Sequence, residues 1–290
     1  MKCTLCPRSC GAERDGKTGA GFCRMPAGLR VARAALHHWE EPPISGKNGA
    51  GTVFFSGCTL RCSYCQNGDI SAGGRGRDIT PERLREIYFE LLGQGAHNIE
   101  LVTPTHFLPW ILPSLEPKLP VPVVYNCGGY EKVETLRLLE GKVDVWLPDL
   151  KYSDGALARE LSGAEDYFPV ACDAIREMFR QTGRPVYDGN GLMRRGVIVR
   201  HLVLPGYLDN TRRVLDWLAE TFAPGDVAVS LMSQYTPPPH MTGRLARRVT
   251  AAEYRAAVAY MRNCGIEDGF VQERTSAEEA YTPAFDGTGV

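Results

Sequence analysis

Cys58-Thr59-Leu60-Arg61-Cys62-Ser63-Tyr64-Cys65 places three thiols within eight residues, spaced C-x3-C-x2-C. The run before it, Gly51-Thr52-Val53-Phe54-Phe55-Ser56-Gly57, is apolar and rich in β-formers. It predicts a buried strand that delivers three soft ligands onto one loop. Thiolates suit iron–sulfur clusters, zinc or Cu(I). A structural zinc usually takes four protein ligands. Three thiols can instead hold three corners of a [4Fe–4S] cube and leave one iron open to a small molecule.

From this loop outward, composition sets limits. The chain has 290 residues, 43% of them hydrophobic, which is ample for a core. That length suits one barrel-like α/β domain or two ordinary ones. The formal charge of −1 provides no global field for nucleic acid or an anionic membrane. No apolar run approaches the ~20 residues of a membrane span. The start, Met1-Lys2-Cys3-Thr4-Leu5-Cys6, lacks an apolar signal region, so a cytoplasmic protein is expected. Seven of the ten cysteines fall in two clusters, and clustered thiols in that compartment more often bind metal than form disulfides. The first cluster is Cys3, Cys6, Cys10 and Cys23, in a segment rich in Gly, Pro and Arg. Such a segment has little apolar surface to bury, and metal binding can supply its folding energy. Four thiols suit zinc or a second iron–sulfur cluster. The expected organisation is a metal-stapled segment over 1–48 and an α/β domain over 49–290. Cys172 and Cys264 read as small buried hydrophobes.

Strands and helices alternate from Gly51 onward. Strands are predicted at 52–56, 98–103, 121–126, 143–147, 197–204 and 227–232, with a short one at 270–272. Helices are predicted at 80–92, 132–139, 166–182, 210–222 and 250–263, the last opened by a capping box of Thr250 and Glu253. The tail after Arg274 reads as frayed. Residues 27–39 suit a short strand or helix carrying His37 and His38, and 40–46 reads as a linker. Repeated strand–helix units imply a parallel sheet, with ligands at the C-terminal ends of its strands. Those ends carry Thr105 and His106, Asn126 and Cys127, Asp149 and Lys151, Arg200 and His201, and Gln234. Asp149 and Lys151 share one face at strand period.

The triad with an aromatic (Tyr64) before its last cysteine, just after a first strand, resembles the radical S-adenosylmethionine (SAM) superfamily. The stretches Cys3–Gly11 and Gly19–Arg24 resemble homologues of the pyruvate formate-lyase activating enzyme, and the likeness runs over nearly the whole chain. The resemblance implies a partial (β/α)6 TIM-like barrel. It implies a [4Fe–4S] cluster on Cys58, Cys62 and Cys65, with SAM on the open iron. One electron, supplied by a flavodoxin or ferredoxin, would cleave SAM to a 5′-deoxyadenosyl radical that takes hydrogen from a substrate. That substrate would be a polypeptide of the glycyl-radical type; alternatives are a small molecule, a peptide side chain or a nucleotide, or a non-catalytic metal-stapled binding protein. Lys151 matches a lysine that contacts the SAM carboxylate or the substrate backbone, Arg200 matches an arginine that contacts SAM, and Asn67 matches the Asn-containing tail after the triad. Tyr64, Asn126, Asp149 and Gln234 complete the expected cofactor wall. Pro104-Thr105-His106 stands where the superfamily carries Gly-Gly-Glu, so Thr105 and His106 are expected to meet the SAM amino group. Asn126 and Cys127 replace an acidic residue and a threonine beside a bound cation in the activating enzyme, which weakens such a site here.

Overall fold

The computed structural model describes residues 2–16, 19–267, 269–271 and 283–290. In chain order its elements are β1 (Leu29–His37), α1 (Pro42–Ser45), β2 (Ala50–Phe55), α2 (Gly68–Ser71), β3 (Arg77–Ile79), α3 (Pro81–Gly93), β4 (Ile99–Val102) and α4 (Leu108–Ser114). There follow β5 (Val123–Cys127), α5 (Val133–Arg137), β6 (Val145–Pro148), α6 (Gly155–Ser162), α7 (Tyr167–Thr182), β7 (Val186–Tyr187), β8 (Met193–Leu202), α8 (Leu208–Thr221), β9 (Ala228–Met232), α9 (Ala251–Asn263) and β10 (Gly269–Val271).

Strands β2, β4, β5, β6, β8, β9 and β10 pair in parallel in that spatial order. This is the expected partial (β/α)6 barrel, followed by one short further strand. Beyond β2 the sheet continues antiparallel through β1 to β3, and among the described residues it does not close. Residues 29–37, grouped by sequence with the cysteine-rich segment, are therefore a strand of the main sheet. Of the final strand expected at 270–272, Gln272 lies outside the described residues. So does the part of the frayed tail between 274 and 282. Residues 283–290 lie along β1: Ala34 N donates to Thr288 O at 2.9 Å, and Phe285 meets Phe54 edge-on at 5.4 Å.

Alternation explains the layers. Val53, Leu101, Tyr125 and Trp146 turn outward to the helices and join the large core. Ala50, Val124, Val145, Ile198 and Ala228 turn inward and form an apolar floor, plugged by Ile44 of α1. Above that floor the inward positions become polar: Thr52, Glu100, Asn126, Arg200 and Ser230. The helices begin where the chain supplies caps. Thr80 accepts from Arg83 N ahead of Pro81, and Thr250 with Glu253 forms the expected capping box. Helix α6 was not foreseen, although Asp154 caps its start and Gly163 ends it at φ 59°.

His201 is a structural histidine. It has no exposure, and its ring nitrogens lie 2.6 Å from Leu150 O and 2.9 Å from Thr211 Oγ1. Burial holds its imidazole down at about 4, from 6.5. The unfolded chain takes up this proton at a higher pH than the folded chain does. Stability is therefore full above pH 6.5 and falls as pH drops toward 4. A His201→Gln chain is expected to lose this acid limb, on the order of 2–3 kcal/mol, in urea titrations across that window.

Candidate functional site

At the C-terminal ends of the parallel strands a cavity of about 260 Å3 opens. Gly57, at φ 80°, turns the chain out of β2 and into the thiol loop; a Cβ there would stand 2.4 Å from Met25 Cγ. Cys58, Cys62 and Cys65 all line the cavity. Burial pushes the Cys58 thiol up to about 12, and the charge of Cys62 adds to it; Cys65 is raised for the same two reasons. Each sulfur accepts a local donor: Leu60 N on Cys58 at 3.3 Å, Ser162 Oγ on Cys62 at 3.0 Å, Ser71 Oγ on Cys65 at 3.4 Å. Such donors favour thiolates. Tyr64 walls the cavity, and its phenol accepts from Tyr152 OH at 2.9 Å.

Facing the thiols is a chain of ion pairs. Lys151 Nζ donates to Asp149 Oδ2 at 2.6 Å, and Arg200 Nε donates to Asp149 Oδ1 at 2.9 Å. Arg200 also donates to Glu40 Oε2 at 3.1 Å and to Asn126 Oδ1 at 2.5 Å. Asn126 Nδ2 in turn reaches Glu100 Oε1 at 2.7 Å, and Thr52 Oγ1 reaches Glu100 Oε2 at 2.7 Å. Burial works to raise the Asp149 carboxyl, but Arg200 and Lys151 overcome it and hold it below its ordinary value. Asn67 and Gln234 line the same cavity, and Gln66 Nε2 ties the loop to Gln234 O at 3.0 Å. Gly129, at φ 78°, lets β5 approach β6: a Cβ there would stand 2.1 Å from Asp149 O.

The same architecture recurs in solved structures. SuiB of Streptococcus suis matches at TM-score 0.51 with 11% identity, over 77% of this chain and 48% of SuiB. A second SuiB structure, bound to S-adenosylmethionine, matches at TM-score 0.50 with 12% identity, over 75% of this chain and 45% of that one. Methylornithine synthase PylB matches at TM-score 0.51 with 16% identity, over 83% of this chain and 72% of PylB. The chain has the radical SAM fold. In sequence it is 30% identical over 246 residues to an uncharacterized protein of Methanocaldococcus jannaschii, covering 81% of this chain and 66% of that protein. No family model matches the chain.

Within the radical SAM fold, the cysteine-rich segment docks beside the thiol loop. Arg8 Nε donates to Thr59 O at 2.9 Å and its Nη2 to Ser162 O at 2.6 Å, while its guanidinium covers Phe22 at 3.9 Å. Arg14 is buried, donates to Pro26 O and His106 O, and lies over Trp110. Thr135 Oγ1 of α5 donates to Leu5 O at 2.8 Å. Burial pushes Cys6 up to about 12, with Glu131, Cys23 and Cys3 adding; Cys23 is raised by burial, with Cys3 and Cys10 adding. Cys23 thus lies within electrostatic reach of Cys3, Cys6 and Cys10. Among the described residues no three His, Cys, Asp or Glu side chains stand together as a ready metal-ion site. The triad fits an iron–sulfur cluster by its shared cavity and sulfur chemistry, not by preset ligand spacing.

One expectation is corrected. Thr105 and His106 do not line the cavity. Thr105 Oγ1 donates to Glu131 Oε1 and accepts from Tyr125 OH, both at 2.9 Å. His106 Nε2 contacts Ser56 O at 2.7 Å. The strand ends at Val102, one residue short of the expected 98–103, and Thr103, at φ 58°, is the residue that reaches the cavity. A β-branched residue in that conformation is strained, as side chains at ligand sites often are. Sequence reasoning also missed Glu40 and Glu41, read as linker, and Glu100. All three are buried or nearly so, and the first two line the cavity. Glu100 had a signal: a carboxylate between Ile99 and Leu101 in a buried strand demands a partner. Among the described residues no helix is long and apolar enough to cross a membrane.

Proposed function

We propose that the protein is a radical SAM enzyme. Cys58, Cys62 and Cys65 would hold a [4Fe–4S] cluster, and S-adenosylmethionine would bind beside it. The observation that supports this reading is the convergence of those three thiols and the Lys151–Asp149–Arg200–Asn126 network on one cavity of a radical SAM fold. The cluster, when present, supplies one-electron reductive cleavage of SAM, with a flavodoxin or ferredoxin as the proposed electron donor.

The chain's own residues bind, orient and exclude water. Lys151 is kept protonated: burial opposes its charge, but Asp149 outweighs that. It can meet a ligand carboxylate while Asp149 fixes its direction. Arg200 spends three N–H groups on Asp149, Glu40 and Asn126, which leaves two of the five for a ligand. Phe54, Val102, Leu202 and Met232 form apolar walls that keep water from the reacting groups. The hydrogen donor is proposed as a group able to enter this cavity, on a small molecule or on a polypeptide. The cysteines at 3, 6, 10 and 23 are proposed to hold a second metal site, as a cluster or zinc.

The test is iron and zinc per chain after anaerobic reconstitution, with 5′-deoxyadenosine formation under dithionite on the same sample. About eight irons with turnover would mean two cubane clusters. About four irons and one zinc with turnover would mean one catalytic cluster and a structural staple. Zinc alone without cleavage would refute the enzyme reading.

A further inference from the structure

Glu41 and Ser230, at the inner end of the cavity, have no part in the proposed SAM chemistry. β1 runs antiparallel to β2, so Glu40 and Glu41, which follow it, start from the end of the barrel opposite the thiol loop. Their carboxyls reach into the cavity above the apolar floor. Glu41 is 94% buried by its 6% exposure, and its Oε2 has no hydrogen-bond partner. Ser230 Oγ, on β9, is fully buried, has no partner in good hydrogen-bond geometry, and lies close enough to Glu41 to lower its carboxyl. Glu41 precedes α1, but its side chain makes no cap bond there. A buried carboxylate oxygen without a donor is costly, and neither local structure nor helix capping accounts for this one.

The acids outnumber the bases. Asp149, Glu40, Glu41 and Glu100 share this end with Arg200 and Lys151. Lys151 is engaged by Asp149, and Arg200 by Asp149, Glu40 and Asn126. Among the described residues no cation is hydrogen-bonded to Glu41, although Arg200 lies close enough to oppose its shift. The described residues offer no three-ligand metal site here. The walls leading inward are apolar, Phe54, Val102, Leu202 and Met232. That combination suits an organic cation on a carbon stem better than a bare ion.

We propose that the inner end of the cavity is the recognition site for a cationic group of the substrate, an alkylammonium or alkylguanidinium, with Glu41 as its counterion and Ser230 as a second polar contact. The proposal rests on the radical SAM reading for the word substrate, but the site itself stands on geometry. In the free protein burial keeps Glu41 up at about 7, with Arg200 opposing and Glu40 adding. The groups facing it are Glu40 on its own turn, Arg200 from β8, Ser230 from β9 and Glu100 from β4. An entering cation displaces a proton from this group.

The experiment is calorimetric titration of the reconstituted full chain with n-butylammonium, methylguanidinium, n-butanol, butyrate and potassium ion, at pH 7 in two buffers of different ionisation enthalpy. The organic cations are expected to bind about ten- to a hundredfold tighter than butanol, the scale of one charge-assisted hydrogen bond. They should also release protons, read as a buffer-dependent enthalpy. Glu41→Gln should bring the cations to within about twofold of butanol, and Glu41→Asp should restore part of the difference. Butanol or butyrate binding as tightly as the cations overturns the proposal, as does an unchanged preference in Glu41→Gln. Potassium matching the organic cations would reassign the site to a metal ion and overturn it too. Displacement of butylammonium by saturating SAM would assign the charge to SAM and overturn it. Should Glu41→Gln not fold, the probe series on the unaltered chain decides. Cation binding without any SAM cleavage would refute the radical SAM reading and leave the site standing.

Discussion

A Cys62→Ala chain is expected to yield no 5′-deoxyadenosine above the background of the reductant. The reason lies in the position of Cys62 among the three thiols. Its charge contributes to the raised values of both Cys58 and Cys65, and it is the sulfur that accepts from Ser162 Oγ at 3.0 Å. Without it two cavity thiols remain, too few to hold three corners of a cubane. Iron retained at the cavity should fall with activity, while the metal proposed for Cys3, Cys6, Cys10 and Cys23 should stay, so about half the iron or all the zinc should survive. Cys172→Ala is the control, since that thiol is buried in α7 away from the cavity. Measuring metal content and product on both variants decides it. Undiminished 5′-deoxyadenosine from Cys62→Ala would refute the assignment of the triad.

Arg200→Ala is expected to cost about 3–5 kcal/mol of stability, because it leaves buried carboxyls without their cation. The Arg200, Asp149 and Glu40 side chains are only 12%, 13% and 12% exposed. At this depth the penalty for an uncompensated charge exceeds the value of a surface pair several-fold. Glu40 already illustrates the strain: burial and Glu100 hold it up at about 8 despite Arg200. In a thermal scan the loss should appear as a fall in Tm on the order of 10 °C. Asp149→Asn in the same chain should recover part of it, since the two sites share the lost interaction. The exposed pair Arg212–Asp209, at 3.1 Å, is the comparison: Arg212→Ala should cost less than about 1 kcal/mol. A loss that small for Arg200→Ala would mean that the network does not bear on folding.

The resemblance carried by the thiol loop implied the barrel and its open iron site, and alternation of apolar runs located six of the parallel strands. Local signals located α3 and α9, whose caps Thr80 and Thr250 open long apolar patterns. They missed α4, which begins at Leu108-Pro109, and α6, whose brief apolar pattern is outweighed by its neighbours. The placement of Thr105 and His106 failed for a different reason. A motif alignment fixes residue order, but the strand's end decides which side chain faces inward. Here the chain leaves the sheet at Val102, turns at Thr103 and carries Thr105 and His106 away from the cavity in a tight turn.

The sequence by itself determined the chemistry that is local: three soft ligands on one loop after a buried strand, a second thiol cluster in a segment with little core of its own, and strand–helix alternation. Those depend on residue type and spacing along a few tens of residues. Tertiary structure alone decided which distant groups meet. Arg8 and Arg14 bind the cysteine-rich segment to the thiol loop and to His106. Glu40 and Glu41, in a stretch that reads as a linker, become the inner end of the cavity because β1 turns back antiparallel to β2. A carboxyl's partner, burial and charge state are set by side chains that converge from separate strands, and no local pattern encodes that convergence.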